Sequence, residues 1–275
     1  MKKIAWIGTG VMGAPMAMHL ADAGYDLSAY NRSFHKAKRL EPKIKAYERI
    51  EESIKDADVI FTIVGYPKDV RDVYNTIIPN AKKGAILIDM TTSSPSLAKE
   101  LYNEAKSNDL NMLDAPVTGV DLGAINSSLS IMVGGDKDVF ESVLPLLEKL
   151  GTTINYMGRA GSGQDAKLAN QIAIAGAIGG AAEALSYAKA KDLNLNNMLA
   201  VITGGSASSW QAANNGPKMI QKDYAPGFFV KHFLKDLKLI LDEKGPLYLP
   251  VVENVTKMYQ VLSENGYSED GTQAI

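Results

Sequence analysis

Lys3-Ile4-Ala5-Trp6-Ile7-Gly8-Thr9-Gly10-Val11-Met12-Gly13 is the stretch on which the fold is decided. A short, largely apolar run from Lys3 to Ile7 reads as a buried strand, and Ala14 to Ala23 continues with helical periodicity. Between them stands G-x-G-x-x-G in the context that gives the pattern meaning, strand before and helix after. Gly8 allows the tight turn, Gly10 lets backbone N–H groups approach a pyrophosphate, and Gly13 permits close helix–strand packing. The following helix N-terminus attracts phosphate charge. Gly8, Thr9, Gly10, Val11, Met12 and Gly13 are therefore cofactor-binding candidates and the expected cofactor is a dinucleotide, the alternative being a glycine-rich turn with no ligand.

The second strand, Asp26 to Tyr30, ends where an acidic residue would hold the adenosine ribose of NAD. The chain instead gives Asn31-Arg32-Ser33, with Lys36 just beyond. A carboxylate there would repel a 2′-phosphate, whereas an arginine pairs with it and stacks on adenine. The sequence predicts a preference for NADP(H), with NAD(H) as the second choice; the alternative is that Arg32 and Lys36 are solvated turn charges.

Outward from these strands the alternation continues. Strands are predicted at Ile44–Tyr47, Val59–Val64, Ala85–Asp89, Met112–Val117, Leu129–Gly134 and Ile154–Met157. Val64-Gly65 closes one strand at the edge where cofactors lie in doubly wound sheets. Met90 to Ser94 follows another, with Ser94 as N-cap and Pro95 in the first turn of the next helix. Thr92 in that loop either reaches a nicotinamide or caps the chain end. Thr118, Gly119 and Val120 form a small-residue loop whose hydroxyl and open N–H suit a carboxylate, or make an ordinary strand–turn.

Past Gly158–Gly161 the pattern changes. Gly161-Ser162-Gly163-Gln164-Asp165-Ala166-Lys167-Leu168-Ala169-Asn170-Gln171 opens an Ala/Gly-rich helix to about Lys191, roughly 30 residues or ~45 Å. Further helices are predicted at Asn196–Thr203, Trp210–Asn215, Val230–Lys244 and Val251–Asn265. The expected architecture is α/β: a Rossmann-type doubly wound sheet over residues 1–160 and an all-helical domain over 161–275, joined by a long interdomain helix. Lys167 and Gln171 are four apart and Asn170 is three from Lys167, so the three share a helix face lining the expected cleft.

Composition sets outer bounds. The 275 residues suffice for two cores, and 46% apolar with 22% charged residues is ordinary for a soluble protein. A net charge of −2 gives no reason to expect nucleic acid or an anionic membrane surface as partner. The absence of cysteine excludes disulfides and thiolate chemistry, and three scattered histidines give no metal-ligand spacing. The N-terminal stretch resembles a signal peptide, but Gly8, Gly10, Gly13 and Pro15 interrupt its apolar core. No uninterrupted apolar run of membrane-spanning length is seen, so no membrane span, a cytoplasmic location and a homo-oligomer built on the helical domain are the expectations.

Taken in order, Gly8 to Gly13, Asp89-Met90-Thr91-Thr92, Asp114 to Gly119, Gly161 to Gln171, and Phe228 with Lys235-Asp236-Leu237 resemble one family. It is the β-hydroxyacid dehydrogenases, among them 3-hydroxyisobutyrate dehydrogenase, tartronate semialdehyde reductase and glyoxylate/succinic semialdehyde reductase, with 6-phosphogluconate dehydrogenase more distant. The resemblance implies Lys167 as the catalytic lysine. It also implies Thr92, Lys235 and Phe228 beside the nicotinamide, Val64-Gly65 along the cofactor, and substrate held by Thr118, Gly119, Val120, Asn170 and Gln171. Thr118 stands where many members have Ser, Val120 where many have a second Gly, and Gln171 where Asn is common. These departures leave the substrate open among short hydroxy and aldehyde acids. In such an enzyme burial would lower the amine pKa of Lys167 from ~10.4 towards the working pH. Two other readings are an NADPH imine reductase of the same architecture and a non-catalytic nucleotide-binding paralogue; a lysine at position 167 argues against both.

Overall fold

The structure is a computed structural model describing residues 2–275. Its elements begin with β1 (Lys3–Ile7), α1 (Gly13–Asp22), β2 (Asp26–Tyr30), α2 (Phe34–Lys38), β3 (Lys45–Tyr47), α3 (Ile50–Ile54) and β4 (Val59–Thr62). Next come α4 (Pro67–Asn80), β5 (Ile86–Asp89), α5 (Pro95–Ser107), β6 (Asn111–Asp114), β7 (Val117–Thr118) and α6 (Val120–Ile125). The sheet ends with β8 (Leu129–Gly135), α7 (Lys137–Leu147) and β9 (Gly151–Gly158). Helices follow: α8 (Ser162–Ala190), α9 (Leu195–Gly204), α10 (Trp210–Gln221), α11 (Val230–Glu243) and α12 (Pro250–Glu264), closed by a 3₁₀ turn at Thr272–Ala274.

The strands form one nine-stranded sheet in the order β3-β2-β1-β4-β5-β6-β8-β7, with β9 pairing β8. From β3 to β6 all pairings are parallel; β8 runs antiparallel to β6 and β7, and parallel to β9. The order reverses between β1 and β4, the switch point at which doubly wound sheets bind ligands beyond their C-terminal strand ends. Alternate residues explain why the sheet is buried on both faces. Ile4, Trp6, Val59 and Phe61 enter one core cluster, while Ala5, Ile7 and Ile60 enter the other. Trp6 stacks on Phe61 with ring centroids 5.1 Å apart.

The chain divides into two compact units, the first running to Lys167 and the second Leu168–Ile275. The second is helical, with Leu168, Ala175 and Ile178 of α8 sharing a core with Phe233, Leu237, Val252 and Tyr259. Among the described residues α8 alone is long and apolar enough to cross a membrane. Its buried polar residues Gln164, Lys167 and Gln171 all lie in its first turns.

The strand expected over Met112–Val117 is split into β6 and β7, β9 begins at Gly151 rather than Ile154, and two further segments depart from the sequence expectation. The small-residue loop after Thr118 winds into a helix, α6, from Val120. Helix α10 continues past Asn215 through Gly216 and Pro217 to Gln221. An i,i+4 side-chain bond within the helix supports the turn, Asn215 Nδ2 donating to Gln211 Oε1 at 2.6 Å, and packing against α9 overrides the low propensity of Gly216. A Cβ at Gly216 would meet Leu199 at 2.6 Å, so the glycine lets α9 approach.

Candidate active site

The glycine turn is fixed by its neighbours. Gly8 N donates to Tyr30 O at 2.9 Å, and the Trp6 indole donates to Gly8 O at 3.0 Å. Thr9 N donates to Asn31 Oδ1 at 2.9 Å, while Asn31 Nδ2 donates to Ser33 O at 3.2 Å. Asn31 thus ties the glycine turn to the end of β2. Gly8 has φ +102°, and a Cβ there would run into the Ile63 carbonyl; a Cβ at Gly13 would run into Gly8 O. Gly10 differs: a Cβ would meet nothing within 4 Å. The protein's own packing therefore does not require glycine at position 10, whereas the close approach of a pyrophosphate would. Beside it, Thr9 Oγ1 is buried and lacks a hydrogen-bond partner among the described residues. Both features fit a dinucleotide.

Arg32 is 87% exposed and pairs with Asp69 of α4 at 3.3 Å. Asp69 Oδ2 also accepts from Tyr66 N at 3.0 Å, so one carboxylate links Arg32 to the turn after Val64-Gly65. Lys36 is exposed on α2.

A buried polar network underlies the ends of β4, β5 and β6. Thr62 Oγ1 lies 3.0 Å from Tyr74 OH and donates to Asp89 Oδ1 at 2.9 Å. Thr91 N donates to Asp89 Oδ1 at 3.1 Å, and Thr91 Oγ1 accepts from Val64 N at 2.9 Å. The loop carrying Thr92 then meets α8. Gln164 Oε1 accepts from Ser93 N at 2.9 Å, and Gln164 Nε2 donates to Thr91 O at 2.7 Å. Asp114, at the end of β6, accepts from Gly161 N and Gln164 N, each at 2.8 Å. These are N–H groups that a helix start leaves without intrahelical partners. Burial raises the carboxyl of Asp114 from 3.8 to about 6, with Asp89 adding to the rise and the N–H donors opposing it. Lys167 follows Gln164 by three residues and is 6% exposed, the only Lys or Arg buried among the described residues.

The Thr118–Val120 segment is placed differently. Thr118 pairs with Ser130 of β8, and the His19 ring of α1 meets Ala124 O of α6 at 2.9 Å. Val120 has φ +53°, a region that a β-branched residue occupies only under constraint.

In the second unit Asn170 Nδ2 donates to Gln171 Oε1 at 3.0 Å, and Gln171 Nε2 donates to Asp236 Oδ2 at 2.7 Å. Lys235 Nζ lies 2.9 Å from Asp236 Oδ1. Gln171 and Lys235, both singled out from sequence, therefore share one buried carboxylate, and Asn170 joins them through the Gln171 amide oxygen. Phe228 packs edge-on against Phe233 at 5.8 Å.

Comparison with known proteins supplies the family. Residues 3–158 match the family described as the NAD binding domain of 6-phosphogluconate dehydrogenase. Residues 161–275 match that described as the NAD-binding domain of NADP-dependent 3-hydroxyisobutyrate dehydrogenase. A probable 3-hydroxyisobutyrate dehydrogenase-like protein of Arabidopsis thaliana is 41% identical, over 99% of this chain and 84% of that one. The 2-hydroxy-3-oxopropionate reductase of Escherichia coli is 34% identical, over 97% and 93%. The chain belongs to the β-hydroxyacid dehydrogenase family. A solved 3-hydroxyisobutyrate dehydrogenase of Mycobacterium tuberculosis, with L-serine, is similar at a TM-score of 0.93 and 29% identity, covering 100% of this chain and 97% of that one.

This β-hydroxyacid dehydrogenase is accordingly an NAD(P)-dependent oxidoreductase acting on CH–OH groups. Four residues of the dehydrogenase were given no role from sequence: Asp69, Asp114, Gln164 and Asp236. Each acts on another residue's backbone or side chain across a gap in sequence, 65 residues for Gln171–Asp236 and 71 for Ser93–Gln164. The available signal was residue type. Asp114 follows the apolar Met112 and Leu113 at the end of a strand, and Gln164 sits in the first turn of an Ala/Gly-rich helix.

Proposed function

We propose that the chain reduces a short aldehyde acid, such as a semialdehyde or glyoxylate, to its hydroxyacid with NADP(H), reversibly, and that Lys167 is the general acid and base. One observation carries this reading: Lys167 is a buried amine in the turn after the anchored start of α8. An amine held away from bulk water stands where a general acid–base group can act on a substrate. The nicotinamide, when bound, supplies or accepts the hydride. Lys167 Nζ gives a proton to the substrate oxygen as the carbonyl is reduced and takes it back in oxidation. Its charge also favours the oxyanion that develops there. Thr118 and Gly119 hold the substrate carboxylate, and Thr92 orients the carboxamide end of the cofactor. Asn170 and Gln171 hydrogen-bond the substrate, while Phe228 and Lys235 serve the cofactor. Arg32, released from Asp69, pairs with the 2′-phosphate that distinguishes NADPH, with Lys36 adding positive charge.

Consumption of NADPH and NADH is measured against a panel of short aldehyde acids and cyclic imines. Aldehyde acids with NADPH are expected to turn over best; activity on imines alone, or a clear NADH preference, overturns the corresponding part of the reading. Lys167→Ala is expected to lower turnover by on the order of 10²–10⁴ while NADPH still binds. Turnover close to wild type in that variant removes the assigned role.

A further inference from the structure

We propose that Gln164 is a positioning residue for this reaction, its carboxamide locking the Thr91-Thr92-Ser93 loop to the first turn of α8 so that Thr92 and Lys167 move as one piece. The inference rests on the role assigned to Lys167. Gln164 is 0% exposed and spends both ends of its amide on backbone: Oε1 on Ser93 N at 2.9 Å, Nε2 on Thr91 O at 2.7 Å. These two bonds bracket Thr92. The backbone N–H of Gln164 is held by Asp114, so the turn is gripped from β6 on one side and from the β5–α5 loop on the other. The loop is in turn secured to β4 through Thr91 Oγ1 and Val64 N, and to Asp89 through Thr91 N. Lys167 lies three residues on, about 4.5 Å along the helix. Rigid placement matters at this range, because a displacement of roughly 1 Å costs about a hundredfold in rate.

An amide is required for the lock. The site asks one side chain to donate to a carbonyl and accept from an N–H, which a carboxamide or a neutral carboxylic acid does. A carboxylate only accepts, and a thioether of equal length does neither usefully. Gln164→Glu therefore separates positioning from bulk. At low pH the introduced carboxyl is neutral and keeps both bonds; ionisation turns an acceptor toward Thr91 O and breaks the lock. Titratable groups facing this position are Asp114 from β6 and Asp89 from β5. On α8 itself stand Lys167 and Asp165, the latter 3.7 Å from Lys99 of α5. Wild type contains all of them, so any added titration belongs to the introduced group.

The test records kcat, KM and the isotope effect of 4-deuterated NADPH across pH for wild type, Gln164→Glu, Gln164→Met and Lys167→Ala, with NADPH binding followed separately. Gln164→Glu is expected to approach wild-type kcat at low pH and to lose at least tenfold as its carboxyl ionises, with a larger isotope effect. Gln164→Met is expected to lose at least tenfold at every pH, with KM and NADPH binding within about threefold of wild type. A Gln164→Glu profile parallel to wild type overturns the proposal, even if Gln164→Met fails to fold. An active Lys167→Ala overturns the reading of the site itself. An inactive Lys167→Ala beside unaffected Gln164 variants overturns only this inference.

Discussion

Gln164 and Gln171 stand on the same helix on either side of Lys167, and they are anchored by different chemistry. Gln164 is held by neutral backbone groups of a loop in the sheet-bearing unit, whereas Gln171 is held by the carboxylate of Asp236 in the helical unit. Both are essentially buried, at 0% and 1% exposure. The first bonds fix where a loop lies; the second is charge-assisted and joins a network that already contains Lys235. Each compact unit has thus secured its own segment of α8 with an amide, and the amine lies between the two anchorages in sequence.

Four experiments sharpen or break that contrast. Gln164→Met strands one buried N–H and one buried C=O, each costing ~1–3 kcal/mol, so a loss of roughly 2–6 kcal/mol is expected. Hydrogen exchange should show it in residues 91–95 and 161–167, leaving α11 unchanged. If α11 loosens equally, the helix behaves as one rod and the contrast is lost.

Asp114→Asn probes the grip below Gln164. The folded-state carboxyl is raised from 3.8 to about 6, so it contributes stability that is full below the unfolded value and lost as pH rises through the folded one. Asparagine does not titrate. The advantage of wild type over the variant is therefore expected to shrink between pH 4 and pH 7, by at most ~3 kcal/mol. Denaturant midpoints of the two proteins across that range measure it; a constant difference would contradict the raised carboxyl.

Gln171→Met removes the hydrogen bond to Asp236, which retains its Lys235 partner, a loss of about 2 kcal/mol, and the neutral one from Asn170, about 1 kcal/mol more at most. The expected change in exchange lies in residues 230–243, with residues 91–95 unmoved. The smallest effect on stability is expected at a residue that bonds neither glutamine. Arg32→Ala removes an exposed pair with Asp69, worth under about 1 kcal/mol in stability. It should instead raise the KM for NADPH about tenfold, the size of one charged hydrogen bond, and leave that for NADH in place. An equal change for both cofactors would remove Arg32 from 2′-phosphate recognition.

Local pattern explains why much of this architecture was legible in the chain. Lys3–Ile7 and Asp26–Tyr30 were read with the boundaries the structure shows, because apolar runs bounded by Gly and Asn signal buried parallel strands. Ser94 caps α5 as expected, its Oγ accepting from Leu97 N at 3.1 Å. The turn into α6 was not legible, since Val120 at φ +53° goes against the preference of a β-branched residue. Nor was the role of Asp114 or Gln164, whose partners lie 47 to 73 residues away in sequence. A periodicity argument reports which face a side chain takes; it carries no information on which distant backbone group awaits it.

The chain contains two tryptophans, and the fold gives them opposite surroundings. Trp6 is fully buried, stacked on Phe61 and bonded to the glycine turn, whereas Trp210 stands on the helical unit with half its surface in water. Intrinsic fluorescence therefore comes with a built-in address label. A blue-shifted emitter reports the sheet unit and its turn, a red-shifted, quencher-accessible one reports the other unit, and neither melting nor ligand titration needs a dye to tell the two apart.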